Sequence, residues 1–132
     1  MTNVVVGYVP TQEGESALSH ALEEARSRQA RLLVVNTSRG DALVDERYVD
    51  EGQLGDLEDR LAGSGVAYEV IRAIRGRDAA EEILALADER RADLVVIGLR
   101  RRSAVGKLLL GSTAQRVLLE AQCPVLSVKG HR

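Results

Sequence analysis

Five short apolar runs, separated by stretches of helical spacing, constrain this chain more than any other feature. Asn3 to Val9, Leu32 to Val35, Leu94 to Ile97 and Val125 to Val128 are built on β-branched and aliphatic residues with little polar interruption. Such runs suit parallel strands buried on both faces, since an alternating pattern would be expected if one face met water. The remaining run, Ala67 to Ala73, alternates imperfectly and carries Glu69 and Arg72, which places it near a sheet edge.

Between the runs, apolar residues return every three or four positions. Ala17, Leu18, Ala21, Leu22 and Ala25 predict a helix from Ser16 to about Ala30, with Thr11 to Gly14 before it read as a polar turn. Leu54, Leu57 and Leu61 give a narrow stripe stopped at Gly63-Ser64-Gly65. Asp78 followed by Glu81 has the form of a capping box, opening a helix with Ala79, Ala80, Ile83, Leu84 and Ala87 inward and Arg90-Arg91 at its negative end. A last helix runs from Ser112 with Ala114, Val117, Leu118 and Ala121 inward, and Cys123-Pro124 stops it. Strands and helices in strict alternation predict an α/β fold, a parallel doubly wound sheet with right-handed crossovers. Its 132 residues fit a single domain, 1–132, and residues 36–50, where the pattern dissolves, form a surface segment longer than most connections.

Composition removes several functions. The chain has no Phe, no Trp and three Tyr, and its formal net charge is −2, so neither the extended basic surface nor the aromatic platforms of nucleic-acid binding are available. No apolar run approaches the roughly 18 residues of a membrane span, and Met1-Thr2-Asn3-Val4 lacks the basic region of a signal peptide, so a cytoplasmic location is expected. Cys123 is the single cysteine, which excludes an internal disulfide or a cysteine metal cluster. His20 and His131 stand apart on a helix flank and in the tail. No nucleophile, base and orienting acid can be assembled from these motifs, and at most slow nucleotide hydrolysis is left to an enzyme reading.

The stretch Gly98 to Thr113 stands out chemically. Gly98 closes an apolar run, Arg100, Arg101, Arg102 and Lys107 follow, and Gly111-Ser112 opens a helix whose leading N–H groups lack internal partners. Ligands of open α/β sheets bind at such carboxyl ends of strands. Amides, helix dipole and cations together suit an anion, above all a phosphate. Plainer readings stand beside this one: Ser112 with Gln115 has the form of a capping box, Gly98 and Gly111 serve close packing, and the arginines form a solvated run. A Walker loop is excluded, because Gly106-Lys107 is followed by Leu108 and Arg101 stands where the leading glycine would be.

Over nearly its whole length the chain resembles the universal stress protein family. The resemblance lies in Val4-Val5-Val6-Gly7-Tyr8, in Arg75-Gly76-Arg77-Asp78-Ala79-Ala80-Glu81-Glu82-Ile83, in Ala92 to Gly98, in Gly111-Ser112-Thr113-Ala114-Gln115-Arg116-Val117-Leu118, and in Cys123-Pro124-Val125-Leu126-Ser127-Val128. It implies an adenine nucleotide alpha hydrolase-like sheet of strand order 3-2-1-4-5 and a homodimer through the last strand, 124–129. It also implies, in one branch, ATP held with or without Mg in the crevice between the first and fourth strands. That branch carries G-x2-G-x9-G-[S/T], which Gly98, Gly111 and Ser112 satisfy while Arg101 replaces the middle glycine. Val9 stands where the branch has an acidic residue. The contacts so implied are Gly98, Arg100, Arg101, Ser103, Gly111, Ser112 and Thr113 toward the phosphates, with Val9, Pro10, Thr11 and the end of the second strand at Val35 toward the adenosine. Such a protein would be a stress-response regulator with partners still to be named; the alternative is a nucleotide-independent dimeric interaction module that docks through its arginine-rich loop.

Overall fold

A computed structural model describes residues 2–36, 51–72, 78–99 and 111–130. Five parallel strands, β1 (Asn3–Tyr8), β2 (Arg31–Asn36), β3 (Tyr68–Arg72), β4 (Leu94–Leu99) and β5 (Val125–Lys129), lie in the order β3-β2-β1-β4-β5. Helices α1 (Gln12–Arg28), α2 (Glu51–Ala62), α3 (Ala79–Glu89) and α4 (Ser112–Glu120) connect them. The doubly wound sheet of the sequence reading is therefore the architecture found, with β3 at an edge as its mixed pattern required.

The pleat divides the core into two layers. Val4, Val6, Tyr8, Leu32, Val34, Leu94, Val96 and Val128 meet α1 and α2 through Ala17, Leu18, Ala21, Ala25, Leu57 and Leu61. On the opposite face Val5, Leu33, Val35, Val95 and Ile97 meet Ala80, Ile83 and Ala87 of α3 and Ala114 and Val117 of α4. With no Phe or Trp to fill space, α1 presents alanines to the sheet and comes in close.

Local detail departs from the sequence pattern at several places. Helix α1 begins a full turn earlier than Ser16: Thr11 is its N-cap, taking the Gly14 N–H on Oγ1 at 3.2 Å. Gly14 had argued for a turn, but it is buried, and a Cβ there would lie 1.7 Å from the Val9 carbonyl oxygen. Its role is contact, not chain reversal. Leu118 does not face inward; it is 40% exposed. Ala114 and Val117 already define the seam of α4, and the next residue is about 100° further round the helix. Arg90 caps the end of α3 and turns its guanidinium across to β3, bonding both Glu69 oxygens at 3.1 and 3.0 Å. Asp78 does cap α3, accepting from the Ala80 N–H at 2.7 Å, whereas Glu81 pairs with Arg116 of α4 at 3.4 Å.

Tyr8, Glu15 and Arg60 join three elements at one end of the α1 face. Tyr8 is 3% exposed and its hydroxyl donates to Glu15 Oε2 at 2.5 Å, while Arg60 Nη2 donates to Glu15 Oε1 at 2.8 Å. Burial, then the bond to Glu15, raises the Tyr8 pKa well above its ordinary value of 10.0. Burial also opposes ionisation of Glu15, but the bonds from Arg60 and Tyr8 outweigh it and hold the carboxyl below 4.5. A depressed carboxyl contributes stability above its unfolded pKa and loses it as pH falls through the lower folded value; a raised phenol contributes below pH 10 and loses it as pH rises further. Denaturant midpoints should accordingly fall below about pH 4.5 and above about pH 10. Glu15→Gln should flatten the acid limb, and an unchanged acid limb would refute this assignment.

Candidate functional site

The carboxyl edge of the sheet is where β1 and β4 part: β1 feeds α1 on one face, and β4 feeds α4 on the other. Open α/β sheets hold ligands at such a switch point. At the β1 side, Val9 and Pro10 are half-buried and lead into the Thr11 cap. The Val9 carbonyl accepts from the Thr11 N–H at 2.8 Å, the Thr11 carbonyl from the Glu15 N–H at 2.8 Å, and the Thr11 hydroxyl from Gly14. Much of the polar main chain here is thus spent on starting α1. Val35 lies one residue back from the end of β2, 1% exposed in the core on the α3 and α4 face, so its side chain lines the interior. The strand ends instead on Asn36, fully buried, whose Nδ2 donates to the Tyr8 carbonyl at 3.1 Å and ties the ends of β1 and β2 together.

The two motif glycines differ in kind. A Cβ at Gly98 would meet the Glu13 carbonyl oxygen at 2.4 Å, so the absence of a side chain lets the first turn of α1 lie on the end of β4. At Gly111 a Cβ would meet no heavy atom of the described residues within 4 Å, and its φ of −64 is open to any residue. Gly111 is the N-cap of α4 and makes no side-chain capping bond. Ser112 is therefore the first helical residue, exposed, and the expected Ser112 and Gln115 capping box does not form; the Gln115 N–H bonds the Gly111 carbonyl at 2.9 Å. Thr113 follows, half-buried. The one cation that α4 carries, Arg116, is engaged by Glu120, Glu81 and Asp78 at 3.1, 3.4 and 3.8 Å. Arg100, Arg101 and Ser103, with Arg102 and Lys107, lie outside the described residues, as do 37–50 and Arg75 to Arg77.

Chemically, this edge offers the start of a helix, with no described heavy atom within 4 Å of a Cβ at Gly111, an arrangement that suits an oxyanion. Among the described residues there is no group of three or more His, Cys, Asp or Glu side chains able to hold a metal ion. Cys123 is half-buried at the end of α4, and burial, with Asp93 adding to it, raises its thiol pKa. Sequence reasoning missed Tyr8, Glu15, Arg60 and Asn36, because nothing in a linear pattern pairs Glu15 with an arginine 45 positions away.

Residues 1–129 match the sequence model of the Universal stress protein family. The chain belongs to that family. A universal stress protein of Mycolicibacterium smegmatis is 49% identical over 128 residues, covering 97% of this chain and 98% of the relative. The universal stress protein of Archaeoglobus fulgidus superposes with a TM-score of 0.79 at 32% identity, with 98% of each chain covered. A structure of the Archaeoglobus fulgidus universal stress protein in complex with dAMP gives 0.64 at 27% identity, again with 98% of each chain covered. Strand order and neighbours together assign the adenine nucleotide alpha hydrolase-like fold. No helix among the described residues is long and apolar enough to cross a membrane.

Proposed function

We propose that this universal stress protein is a cytoplasmic stress-response regulator that binds an adenine nucleotide, ATP or a relative, at the carboxyl edge between β1 and β4. Gly111 carries the reading: neither backbone angle nor packing among the described residues requires a glycine there, which suits close approach of a ligand to the leading amides of α4. Phosphate oxygens fit that role, taking the amides of Ser112 and Thr113, with the Arg100 to Arg102 run supplying charge. Magnesium, where it takes part, would come with the phosphates, as it commonly does at nucleotide sites. The dAMP complex of the Archaeoglobus relative supports the ligand class. Equilibrium dialysis of nucleotide-free protein against ATP tests the reading, and absence of binding would reject it in favour of the nucleotide-independent docking module. One observation favours that rival, the internal use of the Thr11 amide, carbonyl and hydroxyl, which leaves the adenosine end fewer partners.

The same reading includes a homodimer through 124–129. The β3 edge is guarded by ion-paired Glu69 and Arg72, whereas β5 shows no charge until Lys129. An uncharged edge strand is prone to pair. Helix α4, packed on β4 and β5, leaves Leu118 and Leu119 exposed at 40% and 76%. Sedimentation should find a dimer that Leu119→Lys weakens at least about tenfold, through loss of an apolar contact at an interface core. A monomeric native protein would refute it.

A further inference from the structure

The first turn of α1 touches more of this molecule than a helix start needs to. Glu13 lies against the ends of two strands at once: a Cβ at Gly98 would come within 2.4 Å of its carbonyl oxygen, and one at Gly130 within 3.1 Å of its amide nitrogen. Gly14, next to it, abuts the Val9 carbonyl at the end of β1. One residue further, Glu15 is held by Tyr8 of β1 and by Arg60 of α2. Gly98 opens the stretch that leads to the candidate anion site, and Gly130 follows the β5 edge. The approaches of Glu13 and Gly14 to the strand ends are backbone on backbone, and close-packed interiors transmit such shifts, while the tie of Glu15 to α2 runs through side chains.

We propose that the first turn of α1 is a coupling element. Its position is set from α2 by the Arg60 and Glu15 tie and is delivered together to Gly98 and Gly130, so that the candidate nucleotide site and the β5 edge respond as one. Helix α2 suits the part of lever: it is held to the core by Leu57 and Leu61, while most of its remaining surface is exposed and polar. A methyl group at 98 or 130 would point to the α1 face, and α4 with Gly111 packs on the other, so the turn acts on the site from outside it. Linkage then requires that whatever shifts one end shifts the other. This regulation rests on the nucleotide reading for its role but not for its existence, which is a property of the free protein.

Hydrogen exchange of the free, full-length protein decides it. In Glu15→Gln and Arg60→Ala, amide exchange in segments 95–99 and 126–130 should quicken by about tenfold, although neither residue touches those strands, while Leu33 and Val34 in β2 keep native rates. Arg60→Lys, which keeps a cation within reach of Glu15, should restore most of the protection. Quickening confined to residues 11–15 and 51–62, with both strand ends at native rates, would overturn the proposal. Where the native protein binds ATP, the same two variants should weaken that binding at least about threefold with Gly111 and Ser112 untouched; unchanged affinity would overturn the link to the site. Should native protein bind no ATP, the nucleotide reading fails alone, and the exchange result still decides the coupling.

Discussion

Alanine at position 14 or 98 should cost this protein more than about 3 kcal/mol, enough to leave a typical domain of this size partly unfolded. The added methyl carbon would lie 1.7 Å from the Val9 carbonyl oxygen in the first case and 2.4 Å from the Glu13 carbonyl oxygen in the second. Both obstacles are backbone, so no rotamer change relieves them, and α1 would have to lift from the sheet. Lifting it exposes Ala17, Leu18 and Ala21, each at most 1% exposed in the native fold. Gly55→Ala is the control. It lies in α2 with no heavy atom of the described residues within 4 Å of a Cβ, and alanine there should stabilise by about 0.5 to 1 kcal/mol through helix propensity alone. Denaturant midpoints for the three variants check the ordering, and a native midpoint for Gly14→Ala would show that the close contact is not what demands glycine.

Valine at position 111 should abolish nucleotide binding while leaving the fold in place. A Cβ there lies within 4 Å of no described heavy atom, and the backbone angles, φ −64 and ψ 158, suit a β-branched residue. Its cost to folding is that of a poorer N-cap, about 1 kcal/mol, which moves the melting temperature by only a few degrees. A ligand in front of α4 would lose far more, because the branched side chain fills the approach to the leading amides. Charge-assisted bonds to phosphate are worth about 1.5 to 3 kcal/mol each, so losing one or two lowers affinity by about 10- to 100-fold or more. Calorimetric titration with ATP alongside thermal melts separates the two effects. Valine protein that melts near native temperature and still binds ATP within a factor of about two would remove the anion site from α4.

The contrast between these positions shows how far the chain could be read unaided. Gly98, Gly111 and Ser112 were found by spacing, and spacing said the same thing of both glycines. Only in three dimensions does Gly98 become the seat of α1 and Gly111 the N-cap of α4 with no described neighbour in front of it. Thr11 to Gly14 reads as a turn because glycine and polar residues weaken a helix locally; burial against Val9 outweighs that preference of about 1 kcal/mol. The apolar character of Leu118 predicts an inward side chain, yet Ala114 and Val117 already form the seam of this nine-residue helix.

What the sequence determined by itself was the layering. Unbroken aliphatic runs must be covered on both faces, intervening amphipathic stretches must supply the cover, and parallel order with right-handed crossovers follows from chirality and burial, which are local or nearest-neighbour physics. Tertiary structure alone decided which polar groups remain for a ligand. Tyr8, Glu15, Asn36 and Arg60 are drawn together or turned inward by the packing of α1 and α2, and no described atom crowds the Gly111 terminus. Such pairings depend on where distant backbones come to rest within a few tenths of an ångström, and no periodicity along the chain carries that information.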